Sequence, residues 1–160
     1  MNPKRAFWFF CLLLAGCGFH LRGTLLAEAP PVAIEGASYP LQLALEKEFS
    51  RAGGKVDPKA GKKLLISHEE QEERILSLTP RGAVGEFELL MRVRYKLLDE
   101  QGMPLLPESE MQVTRSYVYS DQAVHAKEWE REKIVNQMRD EAARRLIEAI
   151  VASRRTSRPT

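Results

Sequence analysis

The chain has 160 residues, with 24 lysines and arginines against 22 aspartates and glutamates, so its formal net charge is only +2. That balance excludes a bulk attraction to nucleic acid, and any anion binding has to come from local placement of cations. Two cysteines exclude a disulfide-rich scaffold, while 44% hydrophobic residues suffice for one ordinary core.

The first segment reads as an address, not a span. Lys4 and Arg5 precede a nine-residue apolar run, Ala6 to Leu14, and small Ala15 and Gly16 follow it. This is the three-part layout of a secretory signal, and it is far short of the roughly 20 residues that cross a bilayer. Leu14-Ala15-Gly16-Cys17 resembles the bacterial lipobox at all four positions. The resemblance implies that residues 1–16 are a lipoprotein signal peptide and that Cys17 carries an N-acylated diacylglyceryl anchor, with no other cofactor. Gly18, where an aspartate is absent, implies sorting to the outer membrane. One acyl chain binds marginally and two or more hold, at roughly 0.8 kcal/mol per buried CH₂. The alternative is an ordinary secreted protein with an incidental Cys17. Losing Lys4 and Arg5 would bring the basic count down to the 22 of the acids, and no cysteine pair would remain.

Gly18 to Pro31 reads as a tether with a stiff Pro30-Pro31 end, and Val32 to Glu35 as a first strand. Ser38-Tyr39-Pro40 opens a helix, since proline in the first turn forfeits no hydrogen bond. Leu41, Leu45, Phe49 and Ala52 give it one apolar stripe, and Gly53-Gly54 stops it. Residues 55–62 are turn material in which Val56 packs. From Lys63 to Thr79 the even positions are apolar at both ends (Leu64, Ile66; Leu76, Leu78) and polar between. This is either one long strand, bulged around Glu69–Glu73, or two pieces joined by a loop. The acid cluster reads as a solvated edge that blocks pairing with other chains, with a cation site as the alternative.

Thr79-Pro80-Arg81-Gly82 has turn chemistry. Phe87, Leu89, Met91, Val93, Tyr95 and Leu97 then face one way, while Glu88, Arg92, Arg94 and Lys96 face the other; only Leu90 and Leu98 break the polar side. Such alternation means one face on a core and one wet, over about 40 Å. Asp99 to Gly102 turns the chain back into an antiparallel partner strand through Met111, Val113, Tyr117 and Tyr119. Ser120 or Asp121 caps a last helix, with Ile134, Met138, Ala142, Leu146 and Ile150 at i+4 steps. Trp129, Tyr117 and Tyr119 read as packing residues, with contact to a partner as the alternative. Ser153–Thr160 is polar and basic, and disorder is expected there. The expected fold is α+β: two helices packed on one face of a mixed four-stranded sheet, in a single domain over residues 17–152. The sheet's other face is left uncovered.

No catalytic set emerges. His20, His68 and His125 are remote from one another, and His68-Glu69-Glu70-Gln71-Glu72 begins like a zincin motif but lacks its second histidine. Arg81-Gly82-Ala83-Val84-Gly85 lacks the ending of a phosphate loop. The reading is a binding protein, not an enzyme, without a metal.

Leu14 to Gly23 (LAGCGFHLRG) resembles the start of the lipopolysaccharide-assembly lipoprotein family LptE. The likeness continues through Gly53-Gly54, Arg74-Ile75-Leu76-Ser77, Arg81-Gly82 before Glu86-Phe87, Asp99-Glu100-Gln101-Gly102, Arg115-Ser116-Tyr117 and a closing helix past Met138 and Leu146. The resemblance implies a one-to-one plug that sits in the outer-membrane β-barrel LptD, helps it assemble and binds lipopolysaccharide for delivery to the outer leaflet. Such a body would face the periplasm and the barrel lumen, tethered by its acyl chains to the inner leaflet, and a polar sheet face suits a wet lumen. The resemblance also implies lipopolysaccharide binding at Arg81 and Lys127. A guanidinium fork suits phosphate, and a helix N-terminus favours an anion near Lys127. Plain surface charge is the alternative for both. Arg92 and Arg94 would either extend this stripe or belong to the polar side of a barrel contact. The second reading of the whole chain is a lipoprotein that scaffolds another envelope complex without binding glycolipid.

Overall fold

The computed structural model describes residues 29–119 and 124–156. The leader, Cys17, the tether to residue 28, the helix cap expected at Ser120 or Asp121, and residues 157–160 lie outside the described residues. Within them the chain runs β1 (Ala33–Glu35), α1 (Tyr39–Arg51), β2 (Lys63–Leu78), β3 (Val84–Leu98), β4 (Pro104–Val118) and α2 (Val124–Thr156). The helix therefore continues through Ser153 to Thr156, where a disordered tail was expected.

The strands lie in the order β1-β2-β3-β4. β1 pairs parallel with the start of β2, Ala33 opposite Lys63, and the other neighbours are antiparallel hairpins. The sheet is thus mixed and four-stranded, with both helices on the face of the odd-numbered β3 residues, as the alternation requires. Leu89, Met91, Val93 and Leu97 of β3 meet Leu41, Leu45 and Phe49 of α1 and Met138, Leu146 and Ile150 of α2 in one core. α1 starts where the sequence places it: the Ser38 hydroxyl accepts from the Leu41 N–H at 3.4 Å, and Pro40 lies in the first turn. Lys47 reaches Asp140 at 2.8 Å and ties the helices together.

β2 is a single strand, but its faces do not follow the sequence parity. A bulge at Ser67, between Ile66 and His68, moves the helix-facing side from Leu64 and Ile66 to Glu69, Gln71, Glu73 and Ile75. The outer edge of β2 beyond Leu65 has no strand partner among the described residues, which fits an edge. Its carboxylates, however, are not simply solvated. Glu69 accepts from the Ser38 N–H at 3.2 Å, at the start of α1, and the others reach β3 and α2.

Candidate functional site

The uncovered face of the sheet is a lattice of ion pairs. Arg92 of β3 spans Glu70 at 2.8 Å and Glu72 at 3.3 Å on β2, Arg94 reaches Glu110 of β4 at 3.1 Å, and Arg74 pairs with Glu88. Hydrogen bonding to Glu70 holds the Arg92 guanidinium pKa above its ordinary value, against burial. Leu90, flanked along β3 by Glu88 and Arg92, is 2% exposed although it lies outside the core cluster. Long charged side chains cover apolar surface in this way with their stems. Arg92 and Arg94 are therefore engaged, and an anion would have to displace a carboxylate to reach either.

The hairpin between β2 and β3 is different. The Thr79 N–H donates to the Ala83 carbonyl at 2.7 Å, and the Thr79 hydroxyl accepts from the Ala83 N–H at 3.2 Å. The three-residue loop Pro80-Arg81-Gly82 ends on Gly82 at φ 79°, the left-handed position such a loop gives to glycine. Arg81 stands exposed at its tip and has no ion-pair or hydrogen-bond partner among the described residues. Lys127, in the first turn of α2, pairs with Glu130 at 2.7 Å.

The topology brings these two cations to one end. β4 finishes with Val118 opposite Glu86, Tyr119 donates its N–H to the Gly85 carbonyl at 2.9 Å, and α2 begins at Val124. One turn beyond Lys127, Arg131 is held by Glu73 of β2, and that hydrogen bond raises the guanidinium's pKa against burial. The same Glu73 oxygen accepts from the Tyr117 hydroxyl at 3.4 Å; burial first, and then this carboxylate, push the Tyr117 phenol up. Phe87 stacks on Tyr117 with ring centroids 5.7 Å apart and meets Tyr119 edge-on at 5.3 Å. Glu73 thus pins the start of α2 to the sheet.

Tyr117 packs as its spacing predicts, but Trp129 does not: it is 79% exposed. It lies eleven residues from Asp140, on the helix side that meets Lys47 and away from Met138 and Leu146. Ile75, Leu76, Leu78 and Val118 are about half exposed at this end; Val118 lies on the wet side of β4's own alternation, while on β2 register shifts flank Ser77. His68 faces Arg94 across the strands and lies 3.9 Å from Glu70, and no cluster of metal-ligating residues occurs among the described residues. No helix among them is long and apolar enough to cross a membrane.

A family model described as LptE, lipopolysaccharide-assembly, matches residues 27–150, which span every strand and most of α2. The LPS-assembly lipoprotein LptE of Photorhabdus laumondii is 29% identical over 150 residues, covering 88% of this chain and 80% of that protein. The protein of the same name from Pectobacterium atrosepticum is 24% identical, covering 88% and 79%. An uncharacterized lipoprotein B from Nitrosomonas europaea, solved by NMR, superposes with a TM-score of 0.70 at 32% identity, over 84% of this chain and 91% of that one. The rare lipoprotein B from Shewanella oneidensis shares the fold at a TM-score of 0.69 and 22% identity, over 79% and 97%. With all four strands, the hairpin, α1 and most of α2 inside the matched region, this chain belongs to the LptE lipopolysaccharide-assembly family.

Proposed function

We propose that this protein is a lipid-anchored, non-catalytic subunit of the outer membrane, held by acyl chains on Cys17, that plugs and helps assemble the LptD barrel and binds lipopolysaccharide. The observation that carries the reading is the family match across nearly the whole fold. Two features of the molecule support it. The uncovered sheet face is closed by ion pairs, so it can lie against a wet barrel wall without burying an unpaired charge. At the hairpin end Arg81 is left without a carboxylate and Lys127 has one exposed partner, so phosphate can engage both. Arg92 and Arg94 belong to the lattice and serve the barrel contact.

Pull-down of the tagged, full-length lipoprotein from detergent-solubilised outer membrane tests the plug. The expected result is a one-to-one complex with a large β-barrel protein, and recovery of the lipoprotein alone overturns it. Exchanging both cations (Arg81→Asp with Lys127→Asp) should leave the barrel complex intact and weaken lipopolysaccharide binding tenfold or more, since about 1.4 kcal/mol is one decade and two charge-assisted contacts are lost. Unchanged affinity refutes the assignment of those two residues.

A further inference from the structure

β1 covers only one end of β2. It pairs with Lys63, Leu64 and Leu65, and the chain then leaves the sheet through Gly36 for α1. Ile66 turns its carbonyl outward, so close to Gly36 that a Cβ there would collide with it. Ile66 lies opposite Tyr95 of β3, and Glu69, Gln71, Glu73 and Ile75 likewise lie opposite odd-numbered β3 residues. Antiparallel alternation therefore gives these four residues outward N–H and C=O groups as well. Among the described residues, no backbone group from Ser67 to Leu78 bonds outside the β2–β3 ladder. The opposite edge of the sheet is blunted. β4 carries Pro104 and Pro107, and its Gln112 and Thr114 carbonyls accept from Arg145 at 3.2 Å and Arg115 at 2.8 Å. Natural sheets protect their edges in such ways, but β2 contains no proline and no side chain bonds to its backbone among the described residues.

The two faces of β2 select what can lie along this edge. On the helix side α1 starts only at the level of Glu69, where the Ser38 N–H reaches that carboxylate at 3.2 Å. Beyond it Ile75 is 55% exposed, and Trp129, on the side of α2 turned towards α1, is 79% exposed. Alternate side chains of an added strand would meet apolar surface there. On the open side Glu70 and Glu72 share one guanidinium, that of Arg92, at 2.8 Å and 3.3 Å. The edge is thus left net negative towards the other set of side chains. A second copy fits poorly. Symmetric pairing about residues 71 to 74 sets Glu70 opposite Glu72, or else Glu72, Glu73 or Arg74 opposite itself, and like charges directly opposite are destabilising. We propose that the β2 edge from Gln71 to Leu78 takes up an extended segment of a partner protein as an added strand, one in which apolar residues alternate with lysine or arginine. Main-chain hydrogen bonds supply the affinity, and the two faces of β2 supply the choice of sequence. The proposal stands independently of the lipid and barrel readings above.

The test titrates the purified full-length lipoprotein into a fluorescein-labelled peptide that alternates valine with lysine and is long enough to span Gln71–Leu78. Saturable binding by polarisation is expected, and glutamate in place of lysine should cost about tenfold or more. In a strand the valine amides line one edge of the peptide and the lysine amides the other. N-methylation of one set should therefore cost about tenfold or more, while methylation of the other set leaves affinity unchanged. Gln71→Pro deletes one outward N–H and spares the β2–β3 ladder, and should weaken the valine–lysine peptide about fivefold or more. If that variant does not fold, the two methylated peptides decide the matter on the wild type. Glu70→Gln with Glu72→Gln should erase the preference for lysine over glutamate. A valine–lysine peptide that never saturates overturns the proposal, as do methylated peptides that both bind like their parent, or a folded Gln71→Pro protein that binds like wild type. Self-association in sedimentation that Gln71→Pro abolishes also overturns it, since the edge would then be a contact between copies.

Discussion

Glu141 of α2 leaves only 13% of its side chain exposed, yet it faces two guanidiniums, Arg115 of β4 and Arg145 one turn along its own helix. Burial alone would push its pKa up; the two arginines outweigh burial and hold it below the ordinary 4.5. A carboxyl with a depressed folded pKa contributes stability that is present above its unfolded value and lost as pH falls through the folded one. Glu141→Gln should therefore lower the melting temperature near neutrality, and the gap to wild type should narrow as pH falls below the ordinary carboxylate range. Both arginines are nearly half exposed, so the cost at neutral pH is about 1 kcal/mol. A gap in thermal melts that stays the same size from neutral into acid pH would mean that shape, not charge, holds the site. Residue-scale partnerships like this were not legible in the sequence. Arg81, Arg92 and Arg94 look alike on paper, and only the strand register shows that two of them meet glutamates.

Among the elements, β3 was the most legible. Its clean alternation predicted a long central strand with one wet face, and its odd residues do form the floor of the core. α1 was equally plain, because Ser38, Pro40 and the double glycine are local signals. β2 was legible only in part: a single bulged strand was one of its two readings, but the bulge lies at Ser67, before the acid cluster around which it was expected. Once Ser67 is extruded, the polar middle of the strand divides between the ion-pair lattice (Glu70, Glu72) and the helices (Glu69, Glu73). The crossover that feeds α1 passes over the same bulge. Gly36, with φ 81°, lies so close that a Cβ there would stand 2.3 Å from the Ile66 carbonyl oxygen. That neighbour is backbone and cannot swing away. Gly36→Ala should destabilise the fold by about 2 kcal/mol or more, combining left-handed strain with the clash. A chemical denaturation midpoint within error of wild type would show that the crossover can move off β2.

Across the whole molecule, order is graded along the long axis of the sheet. The largest fully buried side chains come from α1, from β2 at Leu64, from β3 between Leu89 and Leu97, and from α2 at Met138 and beyond. None comes from the hairpin side of Leu89. α1 begins at the level of Glu69 and runs back from there, so past that point β2 is covered by the start of α2 alone, pinned at Glu73. Local opening costs least where few apolar contacts must be broken. The hairpin end should therefore open well below the free energy of global unfolding, while the other end opens only with it. In amide exchange followed by mass spectrometry, peptides covering Ile75–Leu78 and Val84–Phe87 should exchange at least tenfold faster than those covering Leu89–Leu97, tenfold being about 1.4 kcal/mol of local stability. Equal protection at both ends would make the sheet one cooperative unit.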